Sequence, residues 1–376
     1  MSLLPTYGHR LLEIARAHGC FVYDPSNKPY LDFITGIGVN ALGYGHPRIL
    51  AELHHQADLC IHTSNLHRHP WQQPLADTLA QWSGLDQVFL SNSGTEAMEA
   101  ALKAARARAN RLGRRHHRII ALDNGFHGRS AAALSITHKP EYRQPFQPLV
   151  PGTLFVPANS ISALEEAANE DTIAVVAETI QGEGGIHPLT EEFLAAIRTT
   201  ATRRNALWIA DETQCGHGRT GRRFAYLPNH RPDIVVTAKP LAAGLPLGAT
   251  IFSNDAAQAI QPGAHGSTFG GGPLTCRLAL AFLNEVDRLL PAIQQNGAYL
   301  HSQLRTLTSP LIKEVRGQGF MAGIELTVPA APYVETALAL GLVINATHTN
   351  VLRLLPPYIA AKPEIDQAIT ILARIL

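Results

Sequence analysis

Lys239 and Asp211 are the side chains whose types and positions would do the most chemistry together. Asp211 closes the apolar run 206–210, and Lys239 closes the run 233–238. Two short apolar runs, each ending in a charge, read as parallel core strands that present side chains at one edge of a sheet. An acid and a lysine at neighbouring strand ends suit pyridoxal phosphate (PLP). The amine condenses with the aldehyde, and the carboxylate keeps the ring nitrogen protonated so that the ring accepts electrons. Taken alone, a lysine after a strand is as a rule a solvated end, and an Asp-Glu pair such as Asp211-Glu212 as a rule caps the next helix. The surrounding residues decide between these readings.

Several further groups fall at predicted strand exits. Ser93, Gly94 and Thr95 follow the run 88–90 and open a long helix. Backbone N–H groups at such a start, with a glycine for close approach, form an anion site, although Ser93 and Glu96 also have capping-box spacing. Phe126, His127, Gly128 and Arg129 follow 118–122. There an aromatic ring can stack on a cofactor and an arginine can clamp a carboxylate, or the two can be core and surface residues. Glu178 and the stretch 181–185, with Glu183, follow 173–177 and read equally well as a turn. Gln214 lies within reach of a cofactor oxygen, and Ser267 and Thr268 carry hydroxyls suited to a phosphate. Arg353 is the odd charge in the apolar run 351–354, and a buried arginine needs a carboxylate partner.

These groups need a scaffold. From 46 to 270 the pattern alternates strands (88–90, 118–122, 153–156, 173–177, 206–210, 234–238, 249–252) with helices (95–112, 162–168, 191–205). That alternation predicts an α/β domain with a mostly parallel sheet covered on both faces, which binds ligands at the strand exits. Before it, 10–18 reads as a short helix and 21–33 as a hairpin. Ser162 with Glu165 has the form of a capping box. After the glycine-rich break at 263–273 come a long helix continuing past Pro291, strands near 323–326 and 351–354, and a last helix from 364. The expected division is an arm at 1–45, a large cofactor-binding domain at 46–271 and a smaller α+β unit at 272–376.

The chain has 376 residues, 45% apolar and 16% charged, with a formal net charge of +1. This is a globular composition that points to neither nucleic acid nor an acidic membrane as partner. The 18 histidines have no zinc-ligand spacing and the four cysteines are scattered, so neither a metal site nor a disulfide framework is expected. No signal-peptide core, bilayer-length apolar run or P-loop occurs, and the expected compartment is the cytoplasm.

In order along the chain, the motifs resemble those of the class III aminotransferases, PLP enzymes of fold type I, and among them most the acetylornithine aminotransferases. The supporting stretches are 31–33 with 36–40, 64–66, 92–97, 126–129, 181–185, 211–212 with 214, 218–221, 238–239, 265–271 and 352–357. The resemblance implies a large domain with a mostly parallel sheet, plus a smaller α+β domain built from the N-terminal arm and the C-terminal segment. It implies that Lys239 carries the cofactor and shuttles the proton, that Asp211 pairs with the ring nitrogen and that Gln214 pairs with the ring oxygen. Phe126 would stack on the ring, with Ser93, Gly94, Thr95 and His127 completing the cofactor site. Thr268 would reach the cofactor phosphate of a partner subunit, which implies a homodimer with sites at the interface.

Arg129, Glu183, Ser267 and Arg353 are the implied substrate contacts. Arg129 would meet the carboxylate of N2-acetylornithine, and Arg353 would meet the α-carboxylate of glutamate or 2-oxoglutarate. Glu183 would neutralise Arg353 when the first substrate is bound. The reaction implied is transfer of a terminal amine to 2-oxoglutarate in arginine biosynthesis.

Ornithine δ-aminotransferases carry a tyrosine near 36–38 that this chain lacks, which favours an acylated donor. Ornithine, succinylornithine, acetyl-lysine or carrier-bound aminoadipate semialdehyde remain alternatives, as does a PLP aminomutase. Thr179, Thr213, Cys215, Pro240, His67 and Gly272 depart from the usual family residues. Pro240 is expected to hold Lys239 in extended backbone.

Overall fold

The computed structural model describes residues 4–8, 12–226 and 228–376. Seven of the apolar runs form one sheet, in the order Gln87–Ser91, Gly248–Phe252, Ile234–Thr237, Leu207–Asp211, Thr172–Glu178, Arg118–Leu122, Thr153–Val156. Ladders among the last five of these strands are parallel, and Gly248–Phe252 runs antiparallel to both neighbours. The central strands Thr172–Glu178, Leu207–Asp211 and Ile234–Thr237 are buried at every position, as expected for a sheet covered on both faces. The helix Gly94–Arg111 packs alanines and Met98 against one face, beside Ile119, Val176 and Ile209. The other face joins a larger core with Phe193, Ile197 and Phe282.

The hairpin Phe21–Tyr23 with Pro29–Asp32 forms as expected. The helix expected at 10–18 does not: residues 12–15 carry no regular element, and Arg16–His18 is a strand paired antiparallel to Phe21–Tyr23. Residues 9–11 lie outside the described residues. The physical reason is tertiary, because pairing with the hairpin outweighs a weak local helical preference. Leu342–Val343 adds in parallel to Pro29–Asp32, joining the C-terminal segment to the N-terminal arm. A further sheet contains Ile312–Gln318, Met321–Leu326, Val351–Leu354 and Asn345–Thr347.

The helix Pro273–Leu304 continues through Pro291, and Lys362–Ile375 closes the chain. Two helices, Pro47–Leu59 and Gln72–Ser83, are not announced by the sequence pattern. The cap of Ile161–Ala167 is Ser160, whose Oγ accepts the N–H of Ala163 at 3.4 Å, in place of the expected Ser162 box. Among the described residues no helix is long and apolar enough to cross a membrane.

Candidate active site

The parallel register sets the chemistry. Leu207–Asp211 and Thr172–Glu178 are paired so that Asp211 lies directly opposite Glu178, and Asp211 also pairs with Val236 on the other side. Lys239 lies two residues beyond the strand Ile234–Thr237. Three neighbouring strands thus deliver Glu178, Asp211 and Lys239 to one edge, where they line a cavity of about 480 Å³. Ser93, Gly94, Thr95, Phe126, His127, Arg129, Glu183 and Gln214 line the same cavity.

Lys239 does not adopt the extended backbone expected before Pro240. Its φ is +26°, a left-handed value rare for a side-chain-bearing residue, and it opens the one-turn helix Lys239–Leu241. The tight turn outweighs the preference imposed by the proline, a strain of the kind held at functional sites. Burial lowers the pKa of the amine, opposed by Glu183 and reinforced by Arg353, which favours the neutral nucleophile.

The carboxylate of Asp211 is held from two sides. His127 Nδ1 lies 2.8 Å from Oδ2, and the N–H of Thr213 donates to Oδ1 at 3.1 Å. Burial opposes charge on His127, but the hydrogen bond and charge of Asp211 outweigh it and raise the histidine pKa. Glu178 accepts the N–H groups of Phe126 at 3.0 Å and Gly182 at 2.9 Å, tying two cavity loops to the strand end. Burial pushes its carboxyl up to about 7, with His127 pulling it back. Sequence reasoning treated Glu178 as part of a turn; its place opposite Asp211 depends on register.

Ser93 caps the helix Gly94–Arg111, its Oγ accepting the N–H of Glu96 at 3.3 Å. Glu96 turns back to the N–H of Asn92 and not to that of Ser93, so the expected reciprocal box is replaced by a wider loop. A Cβ at Gly94 would meet Thr213 Cγ2 at 2.9 Å, so only glycine permits this close approach. The helix therefore opens its first N–H groups towards the cavity, an anion site by geometry and dipole.

Arg353 is fully buried. Its Nη1 donates to Glu183 Oε1 at 2.5 Å and Gln214 Oε1 at 3.2 Å, and Nε donates to Asn345 at 3.1 Å. Its Nη2 is buried without a protein partner among the described residues. Burial opposes ionisation of Glu183, but the charge of Arg353 outweighs it and lowers the pKa. Arg129 is exposed at the cavity, its guanidinium carbon 3.5 Å from the ring centre of Tyr142 and 5.6 Å from that of Phe126.

Ser267 and Thr268 do not line this cavity. Ser267 accepts from Asn92 at 3.1 Å and from the N–H of Gly270 at 3.0 Å and borders a neighbouring hollow, while Thr268 is exposed. Two sequence departures converge on Glu212, which is buried and caps no helix. Thr179 donates to it at 2.7 Å, and Cys215 Sγ lies 3.5 Å from its other oxygen. Glu212 in turn accepts the N–H groups of Ala225 and Tyr226, so these departures support the loop behind the site.

The residues present fit PLP. A helix N-terminus offers a phosphate seat, a buried acid can face a ring nitrogen, and a partly desolvated lysine borders the same cavity. Among the described residues no cluster of His, Cys, Asp and Glu could hold a metal.

Comparison with known proteins agrees. The profile of the family described as "Aminotransferase class-III" matches residues 4–376. The acetylornithine aminotransferase of Aquifex aeolicus is 41% identical over 377 residues, covering 100% of this chain and 99% of that protein. The acetylornithine aminotransferase of Methanocaldococcus jannaschii is 43% identical over 380 residues, covering 99% and 95%. Among solved structures, the ornithine aminotransferase of Toxoplasma gondii superposes with a TM-score of 0.94 at 30% identity, covering 100% and 92%. The acetylornithine aminotransferase of Elizabethkingia anophelis superposes with a TM-score of 0.86 at 29% identity, covering 99% and 95%. A second structure of the Toxoplasma gondii enzyme is described with PLP at its active site. This chain belongs to the class-III aminotransferases, and its cofactor is PLP.

Proposed function

We propose that this aminotransferase moves the terminal amine of N2-acetylornithine to 2-oxoglutarate, giving N-acetylglutamate 5-semialdehyde and glutamate, as a step of arginine biosynthesis. The observation that carries this reading is the Glu183–Arg353 pair beside Lys239, set against Arg129 at the cavity's exposed side, which has no ion pair among the described residues. A donor that reacts through its distal amine places no carboxylate near Lys239, so Arg353 needs the protein's own carboxylate. Glutamate reacts through its α-amine and brings a carboxylate, for which Nη2 of Arg353 is a spare donor. The names of the relatives supply the acetyl group.

When bound, PLP supplies an aldehyde and an electron-accepting ring. The chain supplies the rest. Ser93, Gly94 and Thr95 would hold the phosphate, Phe126 would cover the ring, and Asp211, oriented by His127, would keep the ring nitrogen cationic. Gln214, whose Oε1 accepts from Arg353 and whose amide also supports the Glu183 carboxylate, would face the ring oxygen. Lys239 Nζ would hold the cofactor and, once free, would carry the proton as the site's base. Arg129 holds the distal carboxylate.

The exposure of Thr268 supports a homodimer in which it reaches the partner's cofactor phosphate, and Ser267 orders the same loop. The strand Leu342–Val343 beside Pro29–Asp32 supports an arm at 1–45 joined to a small unit at 272–376, against a large domain at 46–271. The cytoplasm is the compartment that fits this reaction.

The likeness to the Toxoplasma gondii ornithine aminotransferase favours free ornithine as a second reading. Against it, Val39, not a tyrosine, lines the cavity from the 36–40 stretch. A donor panel of N2-acetylornithine, N-succinylornithine, N-acetyl-lysine and ornithine, each with 2-oxoglutarate, tests the reading. N2-acetylornithine should give the highest kcat/KM. A preference for ornithine would overturn it, and turnover independent of any 2-oxo acid would point to an aminomutase.

A further inference from the structure

From the stacking of Arg129 on the face of Tyr142, we infer that Tyr142 is a positioning residue that pre-sets the arginine for the distal carboxylate of the amine donor. The inference rests on the proposed role of Arg129 and goes beyond it. An exposed arginine is ordinarily free among many rotamers, and ordering it on substrate binding opposes affinity. Here the guanidinium has no hydrogen bond or ion pair to protein among the described residues, yet it is not loose. Its carbon lies 3.5 Å from the ring centre of Tyr142 and 5.6 Å from that of Phe126, and the two rings meet edge to face at 87° with centres 6.3 Å apart. The π faces hold the cation without consuming any of its N–H donors. A carboxylate anchor would have ordered the arginine equally well but would have cancelled the charge that the substrate must meet.

Sequence and local structure explain why Tyr142 can serve. Pro140 opens the short helix Pro140–Arg143, and Tyr142 donates its N–H to Lys139 O at 3.1 Å, so the ring stands on a fixed turn. Tyr142 is half-buried, with Lys139 Nζ 5.0 Å from the same ring centre. The ring thus gathers a second cation beside the cavity, which raises the positive potential there. Phe126 serves both halves of the site, since it lines the cofactor cavity while its ring stands nearly perpendicular to that of Tyr142.

The test compares Tyr142→Phe, which keeps the π face, with Tyr142→Leu and Tyr142→Met, which remove it, all as holoenzymes. Donors are N2-acetylornithine and N-acetyl-1,4-diaminobutane, the same chain without its carboxylate. The leucine and methionine variants should raise KM for N2-acetylornithine roughly three- to tenfold with little change in kcat. They should shrink its kcat/KM advantage over the diamine by the same factor, and the phenylalanine variant should restore both. If leucine prevents folding, methionine decides. An unchanged advantage in the folded variant, or a fall in kcat alone, overturns the role of Tyr142. Arg129→Ala separates the layers. If it leaves the advantage intact, the reading of Arg129 fails; if it removes the advantage while the Tyr142 variants do not, only this inference fails.

Discussion

Two arginines face the same chemistry in opposite ways. Arg353 is wholly buried, bonded by Glu183, Gln214 and Asn345, and sits on a strand of the C-terminal segment. Arg129 is exposed, lies in the loop after Arg118–Leu122, and among the described residues rests on aromatic rings alone. A buried cation must be neutralised whenever its ligand is away, so Arg353 carries a resident counter-ion that can be displaced. An exposed cation is stabilised by hydration, so Arg129 needs only to be kept in place. On the proposed reading, one chain could thereby meet two carboxylates at different positions without leaving either charge unsupported.

The largest effect should come from breaking the buried side. Arg353→Ala strands Glu183 next to Lys239 and, on the proposed reading, removes the seat for the α-carboxylate. The half-reaction with glutamate should slow roughly a hundredfold or more, since breaking a buried pair costs about 3–5 kcal/mol. Stopped-flow absorbance of the cofactor reads this directly, and Arg353→Ala with Glu183→Ala should recover part of any lost stability. A sharper test keeps the arginine. Glu183→Ala frees it, so single turnovers with N2-acetylornithine should weaken on the order of tenfold relative to those with glutamate. Unchanged rates in both half-reactions would remove the gate.

On the exposed side, Arg129→Ala should raise KM for N2-acetylornithine about five- to tenfold, less than the loss at Arg353 because water screens an exposed pair. Steady-state kinetics checks it, and an effect exceeding that at Arg353 would invert the comparison.

The smallest effect concerns the acid opposite Asp211. Glu178 has its carboxyl pKa raised from the ordinary 4.5 to about 7, by burial first. Its folded state therefore holds the proton more tightly than the unfolded chain. The stability this contributes is complete below about pH 4.5 and is lost as pH rises through about 7. Thermal unfolding of the cofactor-free protein should show Glu178→Gln flattening that dependence between pH 5 and 8, and an identical slope in both proteins would contradict it.

Much of the sheet was legible because its strands are short apolar runs with turn residues between them, and 118–122 and 153–156 match to the residue. Lys239, Asp211 and Arg353 stood out as charges at the ends of, or within, such runs. What stayed hidden depends on partners distant in sequence. Arg16–His18 has no strand pattern of its own and forms because Phe21–Tyr23 lies beside it. Pro47–Leu59 carries histidines and glutamine on a weakly apolar helix whose identity comes from packing on Pro273–Leu304. Glu178 acquires its role only through register with Asp211. The departures Thr179 and Cys215 looked unrelated, and only folding brings both to Glu212.

Both arginines matter only if the amine is exchanged at Lys239. Borohydride reduction of the holoprotein followed by peptide mapping decides this. A pyridoxyl group fixed on the ε-nitrogen of Lys239, absent from Lys239→Ala, is the predicted outcome. A label on another lysine, or none on protein that binds the cofactor, would contradict it.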